Sequence, residues 1–175
     1  MKKDVLERAK RIKLVIFDVD GVLTDGRLFY GDDGQEYKAF HSRDGHGMKM
    51  LRESGVDIAI ITGRTSEVVK HRMLNLKVDH VYQGRLEKLP AYEELIRKLN
   101  LQPEQVAFVG DDVVDLPIMI RVGLAITVPG AHELAQQHAH WVTDQPPGAG
   151  AGRDVCELIM KAQGTYETTI ARYLA

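Results

Sequence analysis

Residues 13–24 read KLVIFDVDGVLT, an apolar run that ends in two aspartates and a glycine. The apolar, partly β-branched residues 14–17 predict a strand that is buried on both faces of a parallel sheet. Asp18 and Asp20 follow directly, and the carboxyl ends of parallel strands are where such sheets bind ligands. Two aspartates one residue apart repel each other unless a cation or a shared proton intervenes. The stretch therefore predicts a functional site at the end of this strand.

The composition limits the class of protein. The chain has 175 residues, 44% of them hydrophobic, and a net charge of −2, which fits one domain, residues 1–175. It has neither a dense basic run nor an apolar stretch of 18 residues, and its start lacks the apolar core of a signal peptide. Cys156 is the single cysteine, which excludes a disulfide framework. We therefore expect a cytoplasmic protein that binds neither nucleic acid nor a membrane.

Apolar strands alternate with helical patterns along the rest of the chain. Strands are predicted at 56–61, 78–82, 106–109, 124–127 and near Trp141, and helices at 44–54, 65–76, 86–99, 117–123, from 131 and at 153–163. In the first of these helices Asp44 is the predicted N-cap. This alternation predicts an α/β fold, a three-layer Rossmann-like parallel sheet with helices on both faces.

Three segments depart from that alternation. Residues 26–41 contain the turn sequence GDDG at 31–34, which favours a small β-hairpin, here termed the flap. Residues 146–152, PPGAGAG, are predicted to be a flexible linker, and residues 164–175 a flexible tail. The stretches between residues 20, 62 and 88 leave no room for a separate cap domain.

Polar residues follow three of the predicted strands and meet at one sheet edge. They are Asp18 and Asp20, then Thr62, then Asp111 and Asp112, and Lys88 at the start of a helix can reach the same edge. Carboxylates without His or Cys are ligands suited to Mg²⁺, and a hydroxyl, a lysine and helix amides are what a phosphate needs. Taken singly, each group also has a structural explanation. Asp18 and Asp20 could form a calcium loop, and Asp111 and Asp112 an acidic turn in which Asp115 caps a helix. Thr62 could cap a helix, and Lys88 could be a surface lysine.

Four segments in this order resemble the signature motifs of haloacid dehalogenase-like phosphatases. They are DVDGVLT at 18–24, TGR at 62–64, Lys88 and GDDVVD at 110–115. The resemblance implies that Asp18 is a nucleophile that forms an aspartyl-phosphate, and that the Asp20 side chain acts as acid and base. It also implies that Mg²⁺ is held by Asp18, the backbone carbonyl of Asp20 and Asp111, with Asp112 supporting the ion indirectly.

The same resemblance implies a set of substrate contacts. Thr62, Gly63 and Lys88 would hold the phosphoryl oxygens, and Lys88 would also restrain Asp18. Arg64 and Arg85 are candidates for gripping the phosphate and a sugar-acid carboxylate, since guanidinium groups bind such anions in bidentate fashion. Arg85 is equally compatible with a simple surface charge.

This chain, which has no room for a cap domain, also resembles one branch of the haloacid dehalogenase-like phosphatases. Residues 26–28, 40–45 and 148–153 are similar to segments of the 3-deoxy-D-manno-octulosonate 8-phosphate phosphatases. That likeness implies that the protein is a homotetramer that hydrolyses this sugar-acid phosphate in lipopolysaccharide precursor synthesis. The flaps of the four chains would assemble together, and the tail of one chain would reach the site of a neighbouring chain. A small flap cannot exclude water by itself, so we expect a neighbouring subunit to close the site.

Two alternatives remain open from the sequence. The substrate could be a nine-carbon, sialic-acid-like 9-phosphate, because the residues that contact the sugar lie in loops and partly in another chain. The chain could also be a non-catalytic oligomerisation module. The presence of Asp18, Asp20, Lys88 and Asp111 argues against such a module.

Overall fold

The sheet of the computed structural model, which describes residues 3–174, is parallel and six-stranded. Met1, Lys2 and Ala175 belong to the predicted domain and tail but lie outside the described residues. The sheet strands are β1 (Leu14–Phe17), β4 (Asp57–Ile61), β5 (His80–Tyr82), β6 (Val106–Val109), β7 (Leu124–Thr127) and β8 (Trp141–Val142). Their order is β5-β4-β1-β6-β7-β8, and every neighbouring pair is parallel. The predicted α/β fold is therefore confirmed, with β1 in the interior of the sheet.

Helices cover both faces of this sheet. They are α1 (Lys3–Ala9), α2 (Ser42–Glu53), α3 (Glu67–Asn75), α4 (Lys88–Lys98), α5 (Leu116–Met119), α6 (Glu133–His138), α7 (Ala151–Gln163) and α8 (Tyr166–Ala171). Val15 and Phe17 pack into the apolar cluster under α1, α2, α3 and α7, whereas Leu14 and Ile16 pack into the cluster under α4, α5 and α6. Because strand side chains alternate between faces, all four residues of β1 are buried.

The predicted flap is a two-stranded antiparallel hairpin. Strands β2 (Phe29–Tyr30) and β3 (Glu36–Tyr37) pair Phe29 with Tyr37, and the Gly31 amide donates to the Gln35 carbonyl oxygen at 2.8 Å. Within residues 3–174, this hairpin is the only regular structure between β1 and α2, and one helix and one strand separate Thr62 from Lys88. The described chain thus has no separate cap domain.

The predicted N-cap role of Asp44 is wrong. Helix α2 begins at Ser42, and the His41 side chain caps it by accepting from the Arg43 amide at 3.2 Å. Asp44 lies in the first turn of α2, buried, and its Oδ1 accepts from the Arg153 amide of α7 at 2.8 Å. The carboxylate therefore holds the start of a helix that is remote in sequence, which a local capping pattern does not reveal.

The segment predicted to be a flexible linker is packed instead. The Gly148 amide donates to the Val22 carbonyl oxygen at 3.1 Å, and Gly150 is buried. Helix α7 begins at Ala151, two residues earlier than expected. The glycines here permit close backbone contact, a use that composition alone does not distinguish from flexibility.

Two further elements differ from their predicted form. Helix α5 ends at Met119 rather than near Gly123, because the chain must turn there to enter β7. The predicted tail contains α8, and beyond it Tyr173 Oη lies 2.9 Å from Nε2 of His46 in α2. The arrival of this tail at a neighbouring site stays a prediction. Across residues 3–174, no helix combines the length and the apolar character needed to cross a bilayer.

Candidate active site

A cavity of about 170 Å³ lies at the carboxyl ends of β1, β4 and β6. Eight of the nine predicted site residues line it: Asp18, Asp20, Thr62, Gly63, Arg64, Lys88, Asp111 and Asp112. A larger cleft, of about 570 Å³, lies between α2 and α3, but its lining is mainly basic and holds one carboxylate, Glu53. The paired carboxylates place the candidate chemistry in the smaller cavity.

The ninth residue, Arg85, is not among the described residues that line the cavity. Its side chain is exposed, and its backbone amide donates to the Thr62 carbonyl oxygen at 3.0 Å. Thr62 itself is buried, and its amide donates to the Tyr82 carbonyl oxygen at 2.9 Å. These two bonds fix the backbone on both sides of Thr62 and continue β4 into the site.

A buried lysine holds two carboxylates together at the floor of the cavity. Lys88 Nζ lies 2.8 Å from Asp18 Oδ2 and donates to Asp115 Oδ1 at 2.6 Å. Only 1% of the Lys88 side chain and none of the Asp115 side chain is exposed to solvent. The remaining oxygen of Asp18, Oδ1, accepts from the Val19 amide at 2.7 Å. Asp18 is therefore restrained through both of its oxygens.

Asp115 has a larger part in the site than the sequence indicated. Its Oδ2 accepts from the backbone amides of Asp111 at 2.9 Å and Asp112 at 3.2 Å, while Oδ1 binds Lys88. Asp112 is the N-cap of the 3-10 turn at Val113–Asp115, and its side chain accepts from the Val113 amide. The spacing of Asp112 and Asp115 is that of a capping box, which was the available sequence signal.

The glycine that precedes these aspartates makes room for Asp115. A Cβ atom on Gly110 would lie 2.5 Å from Asp115 Cγ, closer than any side chain tolerates. Gly110 therefore lets the buried carboxylate lie directly beneath the loop that carries Asp111. A side chain at this position would require Asp115 to shift.

Asp18 and Asp111 together form a site that fits a divalent cation. Oxygen atoms of Asp18, Asp111 and Asp115 lie within 4.8 Å of one another. Asp18 and Asp111 line the cavity, whereas the fully buried Asp115 does not, so the first two carboxylates are the available ligands. Three carboxylates and one ammonium leave two negative charges, which is the charge that one Mg²⁺ neutralises. Hard oxygen donors of this kind suit Mg²⁺.

The pKa values of the carboxyl groups agree with this excess of negative charge. Burial, followed by the neighbouring charge of Asp18, raises the pKa of Asp111 to about 7. Burial likewise raises the pKa of Asp18 to about 6, although Lys88 opposes that rise. Burial alone would lower the pKa of Lys88, but Asp18 and Asp115 reverse the effect and raise it. The site thus retains uncompensated negative charge above neutral pH.

The flap supplies a second group of charges that sequence reasoning missed. Lys38, whose side chain is 1% exposed, pairs with Asp20 and lies 3.4 Å from Glu36. Arg64 pairs with Glu36 at 2.9 Å and with the Tyr30 hydroxyl. Glu36 and Lys38 are two residues apart in an extended segment, so they share a face, which was the available sequence signal. The flap therefore contacts the site through charge pairs.

We predict that Asp111→Asn stabilises the metal-free protein more at pH 8 than at pH 5. Above its pKa of about 7, Asp111 is ionised in the folded state, and its charge beside Asp18 and Asp115 opposes folding. Near pH 5 the folded protein holds this carboxyl protonated, so less repulsion is present to remove. Thermal unfolding in a chelator measures the effect. Asp112→Asn, which preserves an exposed cap, is the control, and equal gains at both pH values would contradict the prediction.

We predict that Asp115→Ala lowers the free energy of unfolding by about 3 kcal/mol or more, because it leaves the Lys88 ammonium buried with one partner fewer. Asp112→Ala is the matched variant, since it removes only an exposed cap, at a cost of about 1 kcal/mol. Urea unfolding of both variants makes the comparison. Equal losses would show that the pair with Lys88 adds nothing beyond capping.

Known proteins resemble this chain over almost its full length. The family model for haloacid dehalogenase-like hydrolases matches residues 35–123. The 3-deoxy-D-manno-octulosonate 8-phosphate phosphatase of Yersinia pestis is 49% identical over 164 residues, covering 94% of this chain and 88% of that protein. The corresponding phosphatase of Escherichia coli K12 is 47% identical, covering 94% of this chain and 87% of that protein.

A crystal structure of such a phosphatase from Moraxella catarrhalis contains a magnesium ion, a phosphate ion and a molecule of KDO, the 3-deoxy-D-manno-octulosonate sugar acid. It is 40% identical to this chain, with a TM-score of 0.97 and coverage of 99% of both chains. Together with the motifs at the strand ends, these similarities establish that the chain belongs to the 3-deoxy-D-manno-octulosonate 8-phosphate phosphatase family of haloacid dehalogenase-like hydrolases.

Proposed function

We propose that this chain is a Mg²⁺-dependent phosphatase that hydrolyses 3-deoxy-D-manno-octulosonate 8-phosphate to the free sugar acid and phosphate, in lipopolysaccharide precursor synthesis. The observation that carries the proposal is the buried Lys88 between Asp18 and Asp115, with Asp111 beside them. A non-catalytic module has no need to hold an unneutralised carboxylate cluster at an open strand end. The family relatives supply the identity of the substrate.

In the proposed mechanism Asp18 is the nucleophile. One carboxylate oxygen of Asp18 forms a bond to phosphorus, the bond from phosphorus to the sugar oxygen breaks, and Asp20 donates a proton to the leaving alkoxide. Water then attacks the aspartyl-phosphate, Asp20 takes its proton, and the phosphorus–Asp18 bond breaks to release phosphate. The bonds from Lys88 and the Val19 amide hold the Asp18 carboxylate in a fixed orientation for this attack.

The metal and phosphate contacts follow the same assignment. Asp18, Asp111 and the Asp20 backbone carbonyl would hold Mg²⁺, with Asp112 supporting it indirectly. When bound, Mg²⁺ neutralises the charge that would otherwise repel a phosphate dianion from the carboxylates. Thr62, the Gly63 amide and Lys88 would bind the phosphoryl oxygens.

The sugar-acid carboxylate requires a cation at the rim of the cavity. Arg64 is the first candidate, because it lines the cavity and lies 3.7 Å from Asp20 through Nε. In this structure the Arg64 guanidinium also binds Glu36. On substrate binding, Arg64 would therefore either leave Glu36 for the sugar-acid carboxylate or bind both carboxylates. Arg85 stays a weaker proposal, as its exposed side chain lies outside the cavity lining.

We further propose that the enzyme is one domain that works in the cytoplasm as a homotetramer with its flaps in contact. The flap exposes four large side chains: Leu28 at 46%, Phe29 at 49%, Tyr30 at 57% and Tyr37 at 54%. Exposed apolar groups clustered on one hairpin are typical of an interaction surface. A neighbouring subunit on this surface would close the cavity over Asp18 and Asp20 and exclude water.

We predict that Asp18→Asn reduces turnover of the octulosonate 8-phosphate by about 10³-fold or more, because the variant lacks the attacking carboxylate. Phosphate release measures turnover, and light scattering verifies that the oligomer is intact. Wild-type kcat/KM for the octulosonate 8-phosphate should exceed that for a nine-carbon 9-phosphate sugar acid. A preference for the nine-carbon compound would overturn the substrate assignment, and an active Asp18→Asn would overturn the nucleophile.

We predict that Phe29→Glu dissociates the oligomer and lowers kcat/KM by about tenfold or more, since the charge would be buried at the flap contact. Leu74→Glu is the matched control, because Leu74 is 74% exposed on α3 and lies outside the flap. Light scattering at assay concentration measures the mass. An unchanged mass for Phe29→Glu would contradict the flap as the contact.

A further inference from the structure

Residues 19–25, here termed the catalytic loop, form a tight turn directly after β1. The amides of Val22, Leu23 and Thr24 all donate to the Val19 carbonyl oxygen, at 3.3, 2.9 and 3.0 Å. Asp20 lies on this loop, so its position depends on how the turn is held. Gly26, the residue that follows the loop, packs back against it, since a Cβ on Gly26 would lie 3.5 Å from the Gly21 Cα.

The inner side of the catalytic loop has no room to move towards the cavity. Gly21 has a φ of +85°, and a Cβ on it would lie 2.1 Å from Asp111 Oδ2. The Asp20–Gly21 backbone therefore lies directly against the carboxylate of Asp111. A displacement of the loop cannot be absorbed on that side without moving the cation site.

The outer side of the loop is held by Gly148. The Gly148 amide donates to the Val22 carbonyl oxygen at 3.1 Å. A Cβ on Gly148 would lie 2.6 Å from the Asp25 backbone nitrogen and 2.7 Å from the Thr24 carbonyl carbon. These are backbone atoms, so no side-chain rotation relieves the contact. A side chain at Gly148 must shift the catalytic loop, the segment that carries Gly148, or both.

The segment that carries Gly148 is itself anchored. Asp44 of α2 accepts from the Arg153 amide at 2.8 Å and so holds the start of α7. A Cβ on Gly152 would lie 3.1 Å from both Asp44 Cγ and Leu23 Cδ2, so this glycine also packs between the anchor and the catalytic loop. Because the anchor resists displacement, we expect strain introduced at Gly148 to move the loop.

We propose that Gly148 is a positioning residue for the reaction. Its amide and its lack of a side chain set the catalytic loop at the distance from Asp111 that places Asp20 for proton transfer. This inference rests on the proposed function, because it takes Asp20 as the acid and base. Gly148 touches no reacting group and acts through Val22, Thr24 and Asp25.

The test compares Gly148→Ala with Gly55→Ala. Both glycines have positive φ, +66° and +97°, so both substitutions strain the backbone, but a Cβ on Gly55 meets nothing within 4 Å. Gly148→Ala should lower kcat by about tenfold to 10²-fold with KM changed less than about threefold, because misplacing a reacting group affects mainly the chemical step. It should also weaken Mg²⁺ binding in calorimetry. Gly55→Ala should lower the unfolding temperature with kcat and Mg²⁺ binding unchanged.

A milder variant keeps the inference testable if Gly148→Ala does not fold. A Cβ on Gly152 would make a milder contact than one on Gly148, at 3.1 Å from the Leu23 side chain rather than 2.6 Å from backbone, so Gly152→Ala should lower kcat in the same direction by a smaller factor. Equal kcat for Gly148→Ala and Gly55→Ala, or an unaltered kcat in Gly152→Ala when Gly148→Ala is unfolded, would overturn the role of Gly148. An inactive wild-type enzyme would instead contradict the proposed function.

Discussion

The burial of one ammonium group between two carboxylates is the constraint on which the site depends. Lys88 contacts Asp18 and Asp115 at 2.8 and 2.6 Å with almost no exposure to water. A buried charge is tolerated only when its partners are held in place, and here the three groups come from the start of α4, the residue that follows β1 and the 3-10 turn after β6. Because Asp111 adds a third carboxylate, the cluster stays negative, and a divalent cation completes it. In the proposed mechanism, the orientation of the Asp18 nucleophile and the affinity for the metal therefore share one electrostatic origin.

The close contacts around this cluster rely on missing side chains. The absence of a side chain at Gly110 leaves room for Asp115 beneath the loop that carries Asp111. The same absence at Gly21 lets the backbone lie beside Asp111, and at Gly148 it lets the catalytic loop pack closely from outside. In each case a Cβ would lie well under 3 Å from a neighbouring atom. These glycines thus permit close contact between neighbouring segments rather than flexibility. This explains why residues 146–152, although rich in glycine, are packed.

The flap connects the chemistry to assembly. Its inward charges, Glu36 and Lys38, contact Arg64 and Asp20, whereas Phe29 and Tyr37 remain exposed. In the proposed tetramer one small hairpin would serve both purposes, since the same β-strand alternation that turns charges towards the site turns apolar groups towards a neighbour. A capless chain would thereby obtain a closed site without a second domain.

The parallel sheet, the flap and eight of the ten residues that line the cavity could be predicted from the amino-acid sequence alone, because buried strands and the polar groups that end them are local patterns. The contacts of Asp44, Asp115, Lys38 and Gly148 became visible only in the folded structure. Asp44 was predicted to cap its own helix and instead holds Arg153, 109 residues away. Lys38 and Asp20 are 18 residues apart, and Lys88 and Asp115 are 27 apart. Such contacts depend on how elements pack, and a local spacing rule carries no information about that packing.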